Sequence, residues 1–320
     1  MMIKKQKKAI PWFLILIVIC FVFGLNFWAL EVEADQATSS ATVTNSLPTA
    51  SSVSVNSGAA SMTLTEATTT AVTVTFTVTD NNGCQDIDSH ATNDTVAVFY
   101  RTNVSGGASC TPDNNNCYSL SCSQDGGSCT AGGSDLDATY TCTASIQFYA
   151  DATDAGTYVA TNWTATATPR DNAGTDGNTG ADTIEMATTT ALNVTATIAY
   201  GELALGANTG TGDQTTTVTN TGNDNPIDIQ LDGYGSIDGD GKAIVCTIGS
   251  ITVGYERYSL SASTDWSSKT QLTDTATTLS SFDLAKGVSS TKGVYWGLGM
   301  SSSGASGSCS GKVNFTAVSG

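Results

Sequence analysis

Val72-Thr73-Val74-Thr75-Phe76-Thr77-Val78-Thr79 alternates apolar and hydroxyl side chains for eight residues without a break. A period of two is the spacing of a pleated strand, whose successive side chains point to opposite faces. The stretch therefore predicts a strand with one buried face. The pattern recurs downstream. Tyr140, Cys142, Ala144, Ile146 and Phe148 alternate with Thr141, Thr143, Ser145 and Gln147, and Trp163, Ala165 and Ala167 alternate with Thr164, Thr166 and Thr168. Between them, residues 95–101 place Val96, Val98 and Tyr100 on one apolar face. Short strands separated by turn-rich loops are what a β-sandwich requires.

Composition agrees. Thr and Ser exceed a quarter of the 320 residues, while Leu, Glu and Lys are scarce, which leaves little material for amphipathic helices. Hydrophobic residues at 40% suffice for packed cores and argue against disorder. Twelve basic residues against 29 acidic ones give a net charge of −17, and such a surface repels phosphate backbones, which excludes nucleic acid as a partner. Of the 29 acids, 23 are Asp, a residue of turns and hard-cation sites.

Residues 1–34 read as an export segment. Lys4, Lys5, Lys7 and Lys8 precede an apolar run, and Val32-Glu33-Ala34 offers compact residues for cleavage before Asp35. The run from 10 to 30 is also long enough to span a bilayer, so an uncleaved signal-anchor is the alternative, with membrane contact only through those residues. Ile19 before Cys20 does not suit a lipoprotein site. Either way the remainder is expected outside the cytoplasm, at the cell surface or secreted.

Eight cysteines remain after Cys20 is set aside, an even number that suits disulfides in an oxidising compartment. Cys246 and Cys309 lie far downstream of the rest and are expected to pair. Cys84, Cys110, Cys117, Cys122, Cys129 and Cys142 then make three bridges whose connectivity stays open. The 105–133 stretch reads as an exposed, cross-linked, Gly-rich loop. Zinc at Cys117, Cys122 and Cys129 is disfavoured because no CxxC pair or nearby His accompanies them.

A second set of alternating segments begins past residue 188: Val194, Ala196, Ile198 and Tyr200, then Ile227, Ile229 and Leu231, then Val294, Trp296, Leu298 and Met300, then Val313, Phe315 and Ala317. The expected division is a Thr/Ser-rich lead-in over 35–46, one disulfide-rich sandwich over 47–188 and a second over 189–320. Val43, Leu47, Val53 and Val55 lie at strand spacing near the start. They are read either as the first strand of the first sandwich or as an arm that adds a strand to a neighbouring molecule's open edge.

Val78-Thr79-Asp80-Asn81-Asn82-Gly83-Cys84, followed by Val96-Ala97-Val98-Phe99-Tyr100-Arg101, resembles bacterial and archaeal Ig-like modules. Tyr200-Gly201-Glu202-Leu203, the Asn220-Thr221-Gly222-Asn223 turn, Tyr295-Trp296-Gly297-Leu298-Gly299 and Asn314-Phe315-Thr316-Ala317 resemble a second such module. The order of these motifs is similar to exported Ig-like β-sandwich proteins of candidate-phyla bacteria and small-genome archaea. The resemblance implies an all-β fold of two tandem Ig-like domains, a surface or secreted location, and no catalytic residues.

His90 is the only histidine, within a run of loop residues that cannot form a Ser–His–Asp triad, and no carboxylate pair stands out, so catalysis is not expected. The one metal reading is calcium. Asp80 and Asn82 in one Asp-Asn-x-Gly turn, and Asp171 with Asp176 in another, would share one end of the domain if the strands they follow are B and F of an Ig-like sandwich. The competing reading is ordinary turn chemistry. Asp238-Gly239-Asp240-Gly241 resembles part of an EF-hand loop but lacks its first and last ligands. The expected function is a cell-surface structural protein of an array, fibre or stalk that associates with itself or other surface proteins. The alternative is an adhesin or carbohydrate-binding module.

Overall fold

A computed structural model describes residues 37–87, 95–130, 134–195 and 197–320. The protein is all-β, of the β-sandwich class, and the helical content of the described residues is five single-turn 3₁₀ segments. The chain from Asn45 to Gly320 is one compact unit, and the described residues 37–44 lie outside it.

Eight strands build the first part of the larger unit: β1 (Thr49–Val55), β2 (Ser61–Thr63), β3 (Thr69–Thr79), β4 (Val96–Arg101), β5 (Cys117–Gln124), β6 (Asp137–Gln147), β7 (Trp163–Thr168) and β8 (Gly180–Ala187). Their order is β1-β3-β6-β5-β4-β7-β8-β2. The sheet curls until its ends meet, so that the Val55 amide donates to the Asp182 carboxylate at 2.9 Å and Ala50 N to Asn178 O at 2.9 Å. The stretch that opens the sequence analysis is the long central ladder. Val72, Val74, Phe76 and Val78 of β3 stand opposite Ala144, Cys142, Tyr140 and Ala138 of β6, all but Ala144 buried. The Phe76 and Tyr140 rings stack with centroids 5.5 Å apart.

Two elements differ from the sequence reading. In β4 the buried residues are Ala97, Phe99 and Arg101, while Val96 is 41% exposed. Phe99 stacks on fully buried Trp163 at 4.9 Å, a larger contact than the Val96 face offers. Arg101 can lie inward because a buried carboxylate, Asp151, receives its Nε at 2.8 Å. The 105–133 stretch is only partly loop. Its centre is β5, inserted between β4 and β6, with Cys117, Tyr118 and Leu120 buried. Short Ser and Cys neighbours hide this alternation from a reading based on hydrophobicity.

The remaining strands are β9 (Leu192–Val194), β10 (Gln214–Asn220), β11 (Ile227–Tyr234), β12 (Lys242–Ile248), β13 (Ser250–Thr252), β14 (Glu256–Ser259), β15 (Thr270–Gln271), β16 (Thr277–Leu284), β17 (Thr291–Leu298), β18 (Ser306–Ser310) and β19 (Lys312–Ser319). A five-stranded sheet, β15-β14-β17-β10-β9, and a three-stranded sheet, β16-β11-β19, enclose a second apolar core. Trp296 is at its centre, fully buried, and its indole N–H donates to Thr216 Oγ1 at 2.9 Å. A small third sheet, β13-β12-β18, covers a minor cluster around Ile251.

The two main cores are joined by polar bonds. Ala67 N donates to Thr221 O at 2.9 Å, and Asn223 N to Thr189 O at 3.0 Å. Asn223 Oδ1 accepts from Thr189 N at 2.6 Å, and its Nδ2 donates to Ala187 O at 3.0 Å. Gly222 sits so close to Thr189 that an added Cβ would lie 1.9 Å from the Thr189 carbonyl oxygen. Lys286 Nζ completes the junction, donating to Asp151 and, at 3.0 Å, to Asn115 Oδ1.

Candidate functional site

The acidic turns do meet at one end of the first sheet. Asn172 N donates to Asp86 O at 2.7 Å, and its side-chain amide to Gln85 O at 2.9 Å. Asp80 and Asp171 are both fully buried. Their oxygens, however, are largely committed to the turns themselves. Asp80 Oδ1 takes the Asn82 amide at 2.8 Å, Asp171 takes Thr175 N at 2.9 Å and Asn45 Nδ2 at 2.6 Å, and Asn82 Oδ1 takes Ser46 N at 2.6 Å. Asp176 is drawn away into an ion pair with Arg170. Among the described residues no three His, Cys, Asp or Glu side chains are placed to hold a metal ion. The four residues as they stand do not fit a calcium cage, and they fit Asx-turn chemistry.

One atom is left over. Asp80 Oδ2 is buried with no hydrogen-bond partner. Burial pushes the Asp80 carboxyl up, the Asn82 amide opposes that, and the like charges of Asp86 and Asp171 add to the rise. Asp86 was not among the residues singled out from sequence, because its proximity to Asp80 arises from the 3₁₀ turn at Cys84–Asp86. Asp88 and His90 lie outside the described residues, as does the stretch 1–34 that the sequence predicts to be an export segment.

The EF-hand-like Asp240 is a turn former. Its carboxylate accepts the amides of Gly235, Ser236 and Lys242 at 2.9–3.0 Å, which hold its pKa down to about 2.

All eight cysteines from Cys84 onward are bonded. Cys84 pairs with Cys129, Cys110 with Cys117, Cys122 with Cys142 and Cys246 with Cys309. Four disulfides mark an oxidising, extracellular setting. Two of them cross between directly opposed residues, Cys122–Cys142 in the β5–β6 ladder and Cys246–Cys309 in the β12–β18 ladder. The second joins β12 to the penultimate strand. No helix among the described residues is long and apolar enough to cross a membrane.

A separate concavity lies along one side of the second core. A groove of about 1100 Å³ runs between the segment that follows β9 and the edge formed by β18 and β19. Buried Thr216, Glu256 and Leu298 line its inner wall. Glu256 Oε1 accepts the Tyr200 hydroxyl at 2.6 Å, yet burial outweighs that bond and pushes the Glu256 carboxyl up to about 7. Burial, and then the Glu256 charge, raise the Tyr200 hydroxyl.

Both walls of the groove are unpaired edges. β19 is bonded only to β11, and β18 only to β12. On the opposite wall the β9 ladder ends at Val194, although the sequence predicts a strand running to Tyr200. The inward–outward alternation does continue, since Ile198 and Tyr200 pack partly buried on the core while Thr197 and Ala199 are exposed. Among the described residues, 197–203 make no backbone–backbone hydrogen bond. No protein-family model matches this sequence, and no curated protein matches it.

Proposed function

We propose that the chain is an exported, non-catalytic structural protein of the cell surface, a component of an array, fibre or stalk built from Ig-like β-sandwich modules. The observation that carries this reading is the bonded junction between the two cores. Tandem modules that only present a ligand site are joined by exposed, flexible linkers. Here the connection is made by backbone pairs at Ala67–Thr221 and Thr189–Asn223 and by a buried ion pair between Lys286 and Asp151. Such a connection resists bending and suits a load-bearing repeat. The disulfides support the same reading, because each cross-strand bridge ties a ladder that would otherwise separate bond by bond under load. An acidic surface with few cations keeps copies soluble until a specific contact forms.

Cell fractionation with electron microscopy of the producing cells tests this. Assemblies of the protein on the surface, and self-association of the purified chain, are the expected results. A protein that stays monomeric at high concentration and binds glycans or cells instead would establish the adhesin reading and overturn this one.

A further inference from the structure

The second sandwich has a side where its core is covered by half-exposed residues and where no strand runs. Leu192, Val194, Ile198, Tyr200, Val313 and Phe315 all pack on that core while only partly buried, and all but Leu192 line the groove. Elsewhere the same core is closed, with Trp296, Phe282, Ile227 and Ile229 fully buried. The two flanking edges, 197–203 and β19, carry backbone groups that pair with nothing across the gap among the described residues. Unpaired edges of this kind are templates for an incoming strand. The sequence of one wall agrees, since its alternation to Tyr200 belongs to a paired strand and its ladder stops short.

The chain holds a segment of matching chemistry. Residues 37–43, ahead of β1, are exposed and make no backbone hydrogen bond among the described residues, and Val43 is 80% exposed. Ala37, Ser39, Ala41 and Val43 share one face when extended, with Thr38, Ser40 and Thr42 on the other. Small inward residues suit a gap whose floor is already lined by Tyr200 and Phe315. At ~3.3 Å per residue, residues 37–44 span roughly 26 Å, the length of a strand such as the eight-residue β19. Charge narrows the choice further. Residues 36–65 contain no Asp, Glu, Lys, Arg or His, in a chain whose net charge is −17. An uncharged arm is the part of one copy that approaches another without repulsion.

We infer that the groove beside β19 receives residues 37–44 of a second copy as an added β-strand, linking each molecule to the next. This rests on the structural, self-assembling reading above and names the contact that would perform the assembly. The joint is head-to-tail: the arm of one copy fills the groove of its neighbour, whose own arm reaches the next. Repetition of such a contact gives a filament unless the ring closes.

The test uses the mature chain, residues 35–320, and a synthetic peptide of residues 36–48. Saturable binding of the peptide, with slowed amide exchange in 197–203 and 312–319 and no change in β3, is the expected result. Thr42→Pro in the full chain removes one ladder donor from an exposed segment that holds no fold together, and should weaken self-association by about tenfold or more, while Thr42→Val preserves it. If the chain assembles and Thr42→Pro assembles equally well, the strand site is wrong and the structural reading stands. If the native chain never assembles while the peptide protects the groove, the strand site holds and the assembly reading falls. Absence of both peptide protection and any effect of Thr42→Pro overturns the inference outright.

Discussion

Lys286, between β16 and β17, donates to the carboxylate of Asp151, which lies before β7 and also receives Arg101 Nε at 2.8 Å. One buried anion thus holds a cation from each of the two cores. Asp151→Ala would leave Arg101 and Lys286 facing one another with no counter-charge, and should cost about 3–5 kcal/mol in denaturant unfolding. Lys286→Met leaves the Arg101 pair intact and relieves an ammonium whose pKa burial lowers, so overall stability should change by about 1 kcal/mol or less. Its effect should appear instead as faster amide exchange at Ala67 and Asn223. Equal losses from both substitutions would show that Asp151 does not bridge the cores.

Stability should fall with rising pH near neutrality because of Glu256. Its folded pKa, about 7, lies above the ordinary 4.5 of the unfolded chain. The folded state therefore binds more protons between these values. The contribution is full below pH 4.5 and lost as the pH rises through 7, by on the order of 3 kcal/mol. Glu256→Gln keeps a partner for the Tyr200 hydroxyl and should flatten the profile of denaturant midpoint against pH. A slope unchanged by Glu256→Gln would place the proton elsewhere.

Removing the disulfides one at a time should rank their effects by the loop each closes. Cys246–Cys309 spans 63 residues and Cys110–Cys117 only 7. Chain entropy gives roughly 4 kcal/mol for the first and roughly 2 for the second. Paired Cys→Ser substitutions, measured by chemical denaturation, test the order. A larger loss at Cys110–Cys117 would mean that native contacts rather than loop closure decide.

Asp80→Asn should stabilise the protein at pH 7. The substituted amide keeps an oxygen for the Asn82 N–H and places a donor, not a second anion, near Asp86 and Asp171. Because the folded pKa of Asp80 is raised, its contribution is retained below 3.8 and lost as the pH rises, so the gain should vanish in acid. Added calcium should leave the native melting temperature unchanged. A calcium-dependent rise that Asp80→Asn abolishes would restore the cation reading of this end.

The legible parts of the fold were those where burial and hydrophobicity coincide. Val72 to Val78 and Tyr140 to Ile146 alternate in residue type and in exposure alike. β4 misleads because its inward face includes Arg101, a residue that pattern reading assigns to solvent until its partner Asp151, 50 positions away, is known. A lone arginine in so charge-poor a strand is itself a signal that a buried carboxylate is waiting for it. β5 was hidden by cysteine and serine, whose burial follows from cross-linking and small size. At the acidic end the sequence pairs the right turns, since Asp80 and Asp171 do converge. It cannot show that Arg170 captures Asp176, or that the 3₁₀ turn brings Asp86 in. The strand read to Tyr200 is realised only to Val194, a mismatch of another kind, because side-chain alternation continues where the backbone ladder stops.

Gly222 has a consequence for how this protein would be traced through divergence. Threonine recurs at exposed strand positions such as Thr69 and Thr75 of β3, where no packing constrains the side chain. A side chain at 222 would collide with the Thr189 carbonyl, and one at Gly177 would come within 2.0 Å of the Pro48 carbonyl. Both contacts are with backbone, so no compensating side-chain change elsewhere can relieve them. Lineages that keep these two backbone contacts must keep both glycines, whatever changes around them. Their spacing, together with that of the paired cysteines, would outlast any overall sequence similarity.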